Sequence, residues 1–185
     1  MNRSFNTAST ARRPQRGFTL IELSVVTSVL AVVVSSIAPS FTGSVERRHV
    51  QGVATQLETD IQYARSTAGA TGQALRISFQ SGAGASCYVL HSGAANACAC
   101  DAQGVAHCTG DAEVIRTVHL PSSVAVQLQS NVRSMLFNPA RNTVTPAGTL
   151  RVTGSSGAAV HHVVNIVGRV RSCSPQAKVP GLKAC

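Results

Sequence analysis

The chain has 185 residues, with 16 lysines and arginines against 7 acids, a formal net charge of +9, and only 4% aromatic residues with no tryptophan. That excludes an aromatic-rich core, because what packs must be largely Ala, Val, Ser and Gly, and the length allows one modest domain beyond any membrane span. Charge is unevenly placed. Arg3, Arg12, Arg13 and Arg16 precede Phe18 and no acid does, so the chain from Phe18 onward has twelve basic and seven acidic residues, or +5. From Val114 to Cys185 there is no acid, only Arg116, Arg133, Arg141, Arg151, Arg169, Arg171, Lys178 and Lys183. A chain that turns purely basic after Glu113 points to a polyanion partner. A solvated basic surface is the plainer explanation.

The first predicted element is apolar. Phe18 to Ala38 contains one charge, Glu22. About twenty apolar residues at ~1.5 Å each cross a ~30 Å hydrocarbon core, so 18–38 is expected to be a transmembrane helix. A carboxylate inside such a segment is costly and marks a functional site. The basic flank places residues before the helix in the cytoplasm and the remainder across the membrane. The run Gly17-Phe18-Thr19-Leu20-Ile21-Glu22 resembles the type III signal of type IV pilins and pseudopilins. The resemblance covers about Arg16 to Phe41. It implies that residues 1–17 are a prepilin leader, cut by a prepilin peptidase between Gly17 and Phe18 with methylation of the new amino terminus. It also implies that the helix stays on the mature protein as inner-membrane anchor and fibre core, with Glu22 acting in assembly.

After Pro39, where a kink is expected, the pattern is amphipathic. Val50, Val53, Leu57, Ile61, Ala64 and Ala68 recur at three- and four-residue spacing, with Gln56, Glu58, Asp60 and Gln62 on the opposite faces. The helix is expected to continue over 39–68 into the periplasm and to stop at Gly69 and Gly72. The period then falls to two. Strands are predicted at Ala74–Phe79, Cys87–His91, Val114–Leu120, Val124–Gln129, Ser134–Phe137, Thr149–Thr153 and Ala159–Arg171, separated by Gly-, Ser-, Pro- and Asn-rich breaks. The fold class is α+β: a long N-terminal helix packed on antiparallel sheet, in a pilin-like arrangement, with residues 69–185 forming the globular domain.

Cys87, Cys98, Cys100, Cys108, Cys173 and Cys185 make an even count on the periplasmic side, which argues for disulfides. Six cysteines allow fifteen connectivities. Local closure favours Cys87–Cys98, Cys100–Cys108 and Cys173–Cys185. Because Cys98 and Cys100 point to the same side of an extended strand, a swap of their partners stays open. Residues 92–111 read as a disulfide-braced loop and 172–185 as a tied-back tail. Cys98-x-Cys100 is a poor match to zinc spacing, so no metal is assigned.

The predicted last strand places Val164, Ile166 and Val170 on one face and Asn165, Arg169 and Arg171 on the other, with Gly168 letting another backbone approach. Two guanidiniums two residues apart on a strand lie ~6.5–7 Å from each other, a spacing suited to phosphates. Arg133, Arg141 and Arg151 are candidates to widen the patch, and only one of His161 and His162 can share its face. Gly168-Arg169-Val170-Arg171 resembles the GRxR motif of FimT-type minor pilins in the GspH/FimT group. That resemblance implies DNA binding through Gly168, Arg169 and Arg171 during natural transformation, with Lys178 and Lys183 adding attraction, and with other major and minor pilins as partners. The alternative is a GspH-like pseudopilin of type II secretion with a structural role. A membrane-anchored binder of another polyanion, such as polysaccharide or lipid headgroups, ranks behind both. No nucleophile–base pair or phosphate loop is visible, so neither enzyme nor cofactor is assigned.

Overall fold

The computed structural model describes residues 17–82 and 85–185. Arg3, Arg12, Arg13 and Arg16 of the expected leader lie outside them, and the kink expected at Pro39 falls among residues 37–42, whose side chains lie outside the description. The chain divides into two units, Met1–Ser40 and Phe41–Cys185. One helix, α1, is assigned over Leu20–Thr71.

In the first unit α1 begins at a capping sequence. The Glu22 N–H donates to Thr19 Oγ1 at 3.3 Å, and the Leu23 N–H to the Thr19 carbonyl at 3.2 Å. Thr19-x-x-Glu22 is thus the Thr–Glu pairing that starts helices. Ser24, Thr27, Ser28, Ser35 and Ser36 donate their hydroxyls to carbonyls three or four residues back, which hides polar groups in an apolar surface. Leu20, Ile21, Leu23, Val25, Val29, Leu30 and Val32 are exposed. The helical residues of this stretch whose side chains are described run from Leu20 to Ser36, about 25 Å of rise. Among the described residues, no helix is long and apolar enough to cross a membrane.

The second unit is built on period-two segments. A five-stranded antiparallel sheet has the order β5-β2-β1-β7-β8, from β1 (Leu75–Gly82), β2 (Ala85–Ser92), β5 (Val114–Leu120), β7 (Ser134–Asn138) and β8 (Thr143–Thr145). A four-stranded one has the order β11-β10-β9-β6, from β6 (Val126–Ser130), β9 (Gly148–Gly154), β10 (Ala159–Val164) and β11 (Val170–Cys173). β3 (Cys98–Cys100) and β4 (Ala106–Cys108) form a separate hairpin. The helix stops where Gly72, at φ +70°, donates its N–H to the Ala68 carbonyl at 3.0 Å, a left-handed cap that suits glycine.

Val50, Ala54, Leu57, Ile61, Ala64 and Ala68 of α1 are buried with Leu75, Ile77 and Tyr88 of one sheet and Leu150, Val152 and Val160 of the other, in one core. Val53 is half-buried and Ala54 takes its inner place. β2 is buried along both faces because the β3–β4 hairpin covers its second side, with Cys87, Val89 and Cys98 forming a smaller core. The cysteine pairing differs from the expectation. Cys87 joins Cys100 and Cys98 joins Cys108, while Cys173–Cys185 is as expected, and no cysteine is free. The cause is register. Cys98 lies directly opposite Cys108, 4.1 Å between Cα atoms, and Cys100 lies opposite Ala106, which leaves Cys100 to reach Cys87 on β2.

Two further expectations are corrected. Asp60, placed by pattern on a solvent face, is fully buried: it accepts from the Tyr88 hydroxyl at 2.7 Å and from Gln56 Nε2 at 3.1 Å, and pairs with Arg116. The single strand expected over 159–171 is a hairpin, because the chain reverses between β10 and β11.

Candidate polyanion-binding edge

The reversal is set by Asn165. The Gly168 N–H donates to the Asn165 carbonyl at 2.9 Å, and the Asn165 N–H to the Arg169 carbonyl at 3.2 Å. Gly168 has φ +74°. This is a three-residue hairpin loop, a turn closed by a left-handed glycine. The Asn165 side chain reinforces it, with Oδ1 accepting from the Val167 N–H at 3.2 Å and the Arg169 N–H at 2.8 Å, as asparagine does at turns. The loop is pinned to the other sheet, where the Val144 N–H donates to the Ile166 carbonyl at 2.7 Å.

Gly168 therefore has a different role from the one the strand reading gave it. A Cβ there would lie 2.8 Å from Arg65 Cδ and 3.0 Å from Val144 Cγ2. The glycine is packed on this chain's own Arg65 and Val144, and its backbone does not face an open approach. Arg169 closes the loop opposite Asn165 and Arg171 follows on β11 opposite Val163, so the two stand at alternate positions and share a face, as the strand reading expected, although they begin a separate strand after the turn. Both are exposed. Ile166 and Val167 form an exposed apolar tip beside them.

β11 is the outer strand of its sheet, and the tail lies along it. The Ser174 N–H donates to the Lys183 carbonyl at 2.9 Å, and Ser174 bridges Ala184. With Cys173–Cys185 this brings Lys183 beside β11. Lys178 is near the β9–β10 turn, its Nζ 3.5 Å from where a Gly157 Cβ would be, at the opposite end of β10 from Arg169. Of the five residues, Arg169, Arg171 and Lys183 thus lie along the β11 edge, Lys178 stands at the far end of β10, and Gly168 is buried in the turn.

Register assigns the remaining bases. Arg171 is opposite Val163, and His161 is opposite both Cys173 and Arg151. His161 and Arg151 therefore share the outer face with Arg171, whereas His162 points inward. His162 is buried, its Nε2–H donating to the Ala54 carbonyl at 3.0 Å, with Nδ1 2.8 Å from Ser172 Oγ. Burial, with Arg151 beside it, pushes His161 below the usual imidazole range. Arg141 lies in the β7–β8 turn. Arg133 lies before β7, at the other end of that strand, where its carbonyl accepts from the Phe79 N–H at 2.8 Å. Arg116 is exposed, but its charge is engaged: it pairs with the buried Asp60 and lies 5.9 Å from the Tyr63 ring centroid.

Among the described residues, the one arginine or lysine paired with a carboxylate is Arg116, with Asp60, and two histidines stand near carboxylates, His107 2.9 Å from Asp101 and His162 3.9 Å from Glu58. Arg151, Arg169 and Arg171 thus carry no carboxylate partner. Guanidiniums left free on an acid-poor surface are suited to bidentate contact with phosphate or carboxylate. The sequence hid Arg65, whose place under Gly168 depends on a contact between the helix and a turn a hundred residues later.

A family model described as Type II transport protein GspH matches residues 53–168. The chain belongs to the GspH family. A second model, the Prokaryotic N-terminal methylation motif, matches residues 12–38. Together these make the chain a type IV pilin-like minor subunit, of the membrane-anchored kind found in pili or pseudopili. The comparisons with curated proteins and with solved structures gave no match. The GspH match ends at Gly168, so Arg169, Arg171 and the tied-back tail lie beyond it.

Proposed function

We propose that this GspH-family chain is a minor pilin of the FimT type that joins a type IV pilus and holds DNA by its phosphates during uptake in natural transformation. The observation that carries the reading is the Asn165–Gly168 turn, which sets Arg169 and Arg171 on an exposed edge without a carboxylate partner. Phosphate contacts position DNA without reading sequence, so the binding is non-specific. The subunit is inserted through residues 18–38 with its domain in the periplasm. A prepilin peptidase cuts it between Gly17 and Phe18, and Glu22 serves assembly with other pilins.

The test is DNA binding by the full chain in nonionic detergent, measured across salt concentrations. Each phosphate contact contributes about −0.9 to the slope of log affinity against log salt. Arg169→Gln/Arg171→Gln is expected to weaken binding to all duplex sequences alike and to flatten the slope by about two contacts, with unchanged thermal unfolding. Unchanged affinity and slope would remove the arginines from the site. The family match itself favours one second reading, a pseudopilin of type II secretion with a structural role. That reading gains if the wild-type chain has no salt-sensitive DNA binding.

A further inference from the structure

The inference rests on the DNA-binding reading above and enlarges its site. We infer that the phosphate track continues from the β11 edge across the outer face of the four-stranded sheet to Arg151 on β9. Register is the first ground. Arg151 and Cys173 both pair with His161, and Arg171 pairs with Val163 two residues along. Arg151 and Arg171 thus stand on the same face, two strands and two residues apart, about 12 Å between Cα atoms.

Exposure and charge are the second ground. Both guanidiniums are exposed and unpaired with any carboxylate, and no acid occupies the outward positions of β6, β9, β10 or β11. Those positions carry instead uncharged groups, the polar Thr149, Thr153 and Gln129 and the exposed Val163 opposite Arg171, so nothing on the face competes with the arginines for a phosphate. His161, between the two arginines, stays neutral near pH 7 because burial and Arg151 hold it below its ordinary range. The charge of the track is therefore that of the arginines.

The inference separates from the parent reading by one variant series on the full chain in nonionic detergent, with a random-sequence duplex as probe. Arg151→Gln is expected to flatten the salt slope by about 0.9, so that affinity lost between 50 and 200 mM salt shrinks about 3.5-fold. Arg151→Lys is expected to keep most of the slope. Arg133→Gln removes the same charge off the track and is expected to leave the slope unchanged. If Arg169→Gln/Arg171→Gln weakens binding while Arg151→Gln keeps the wild-type slope, the sheet face is not part of the site and the edge reading stands alone. Equal flattening by Arg133→Gln would show net charge and no track. A wild-type chain without salt-sensitive binding overturns both readings. Thermal unfolding of each variant checks that an exposed sheet position tolerates the change.

Discussion

At Gly168 a methyl group would meet Arg65 Cδ at 2.8 Å and Val144 Cγ2 at 3.0 Å, on a backbone at φ +74°. The strain of a left-handed non-glycine residue and the displacement of Val144 add, so Gly168→Ala is expected to destabilise the fold by about 1–3 kcal/mol. Gly181→Ala, at φ +85° with nothing within 4 Å, bears the backbone strain alone and should cost only about 1 kcal/mol. Urea unfolding of the two variants checks the order; equal costs would mean that packing under Gly168 contributes nothing. The same logic explains Asp60. A fully buried carboxylate survives only with donors around it, and it has Tyr88, Gln56 and Arg116. Burial first, then the Asp60 bond, raises the Tyr88 hydroxyl far above its usual range, so it stays a donor.

Among the elements, β10 is tied to α1 through a histidine. His162 and, on β2, His91 are both buried, and burial is the largest cause pushing each below the ordinary 6.5. His91 keeps Nδ1 2.7 Å from the Ser92 carbonyl and Nε2 2.8 Å from Ser78 Oγ. A folded value below the unfolded one means that the unfolded chain binds protons first as pH falls. Stability from these residues is full above about 6.5 and is lost as pH drops through their lower folded values. The urea midpoint is therefore expected to fall on acidification from pH 7.5 to 5, and to fall less in His91→Gln/His162→Gln. A wild-type midpoint that is flat over this window would refute neutral burial. Most strands were legible because their period of two is broken by Gly, Pro and Asn. The β10–β11 turn was not, since Ile166 and Val167 continue the apolar pattern through it and only Asn165 and Gly168 mark it. β8, with three residues, is too short to show a period. Asp60 was misread because its partners Tyr88 and Arg116 come from strands 28 and 56 residues away. For the same reason the sharing of Arg151 and Arg171 on one face waits on register.

For the whole molecule, the charge asymmetry seen in the sequence survives folding in reduced form. Arg116 is spent on Asp60, while Arg169, Arg171 and Arg151 remain on the surface of the second unit. The first unit presents the opposite chemistry, an apolar helix surface whose hydroxyls are satisfied by their own carbonyls. Glu22 is the one charge of residues 18–38, and two explanations for it compete. It stands at the third helical position after the Thr19 cap, where an acid favours the helix start. It is also a carboxylate with no partner among the described residues, which in lipid calls for one from outside. Glu22→Gln separates them, because glutamine keeps the capping pattern and loses the charge. The assembly proposal expects Glu22→Gln to be cleaved after Gly17 as wild type, with the Phe18 terminus seen by mass spectrometry, yet to reach sheared pilus fractions at a tenth of the wild-type level or less. Wild-type incorporation of Glu22→Gln, with a loss confined to Glu22→Ala, would assign the residue to helix capping.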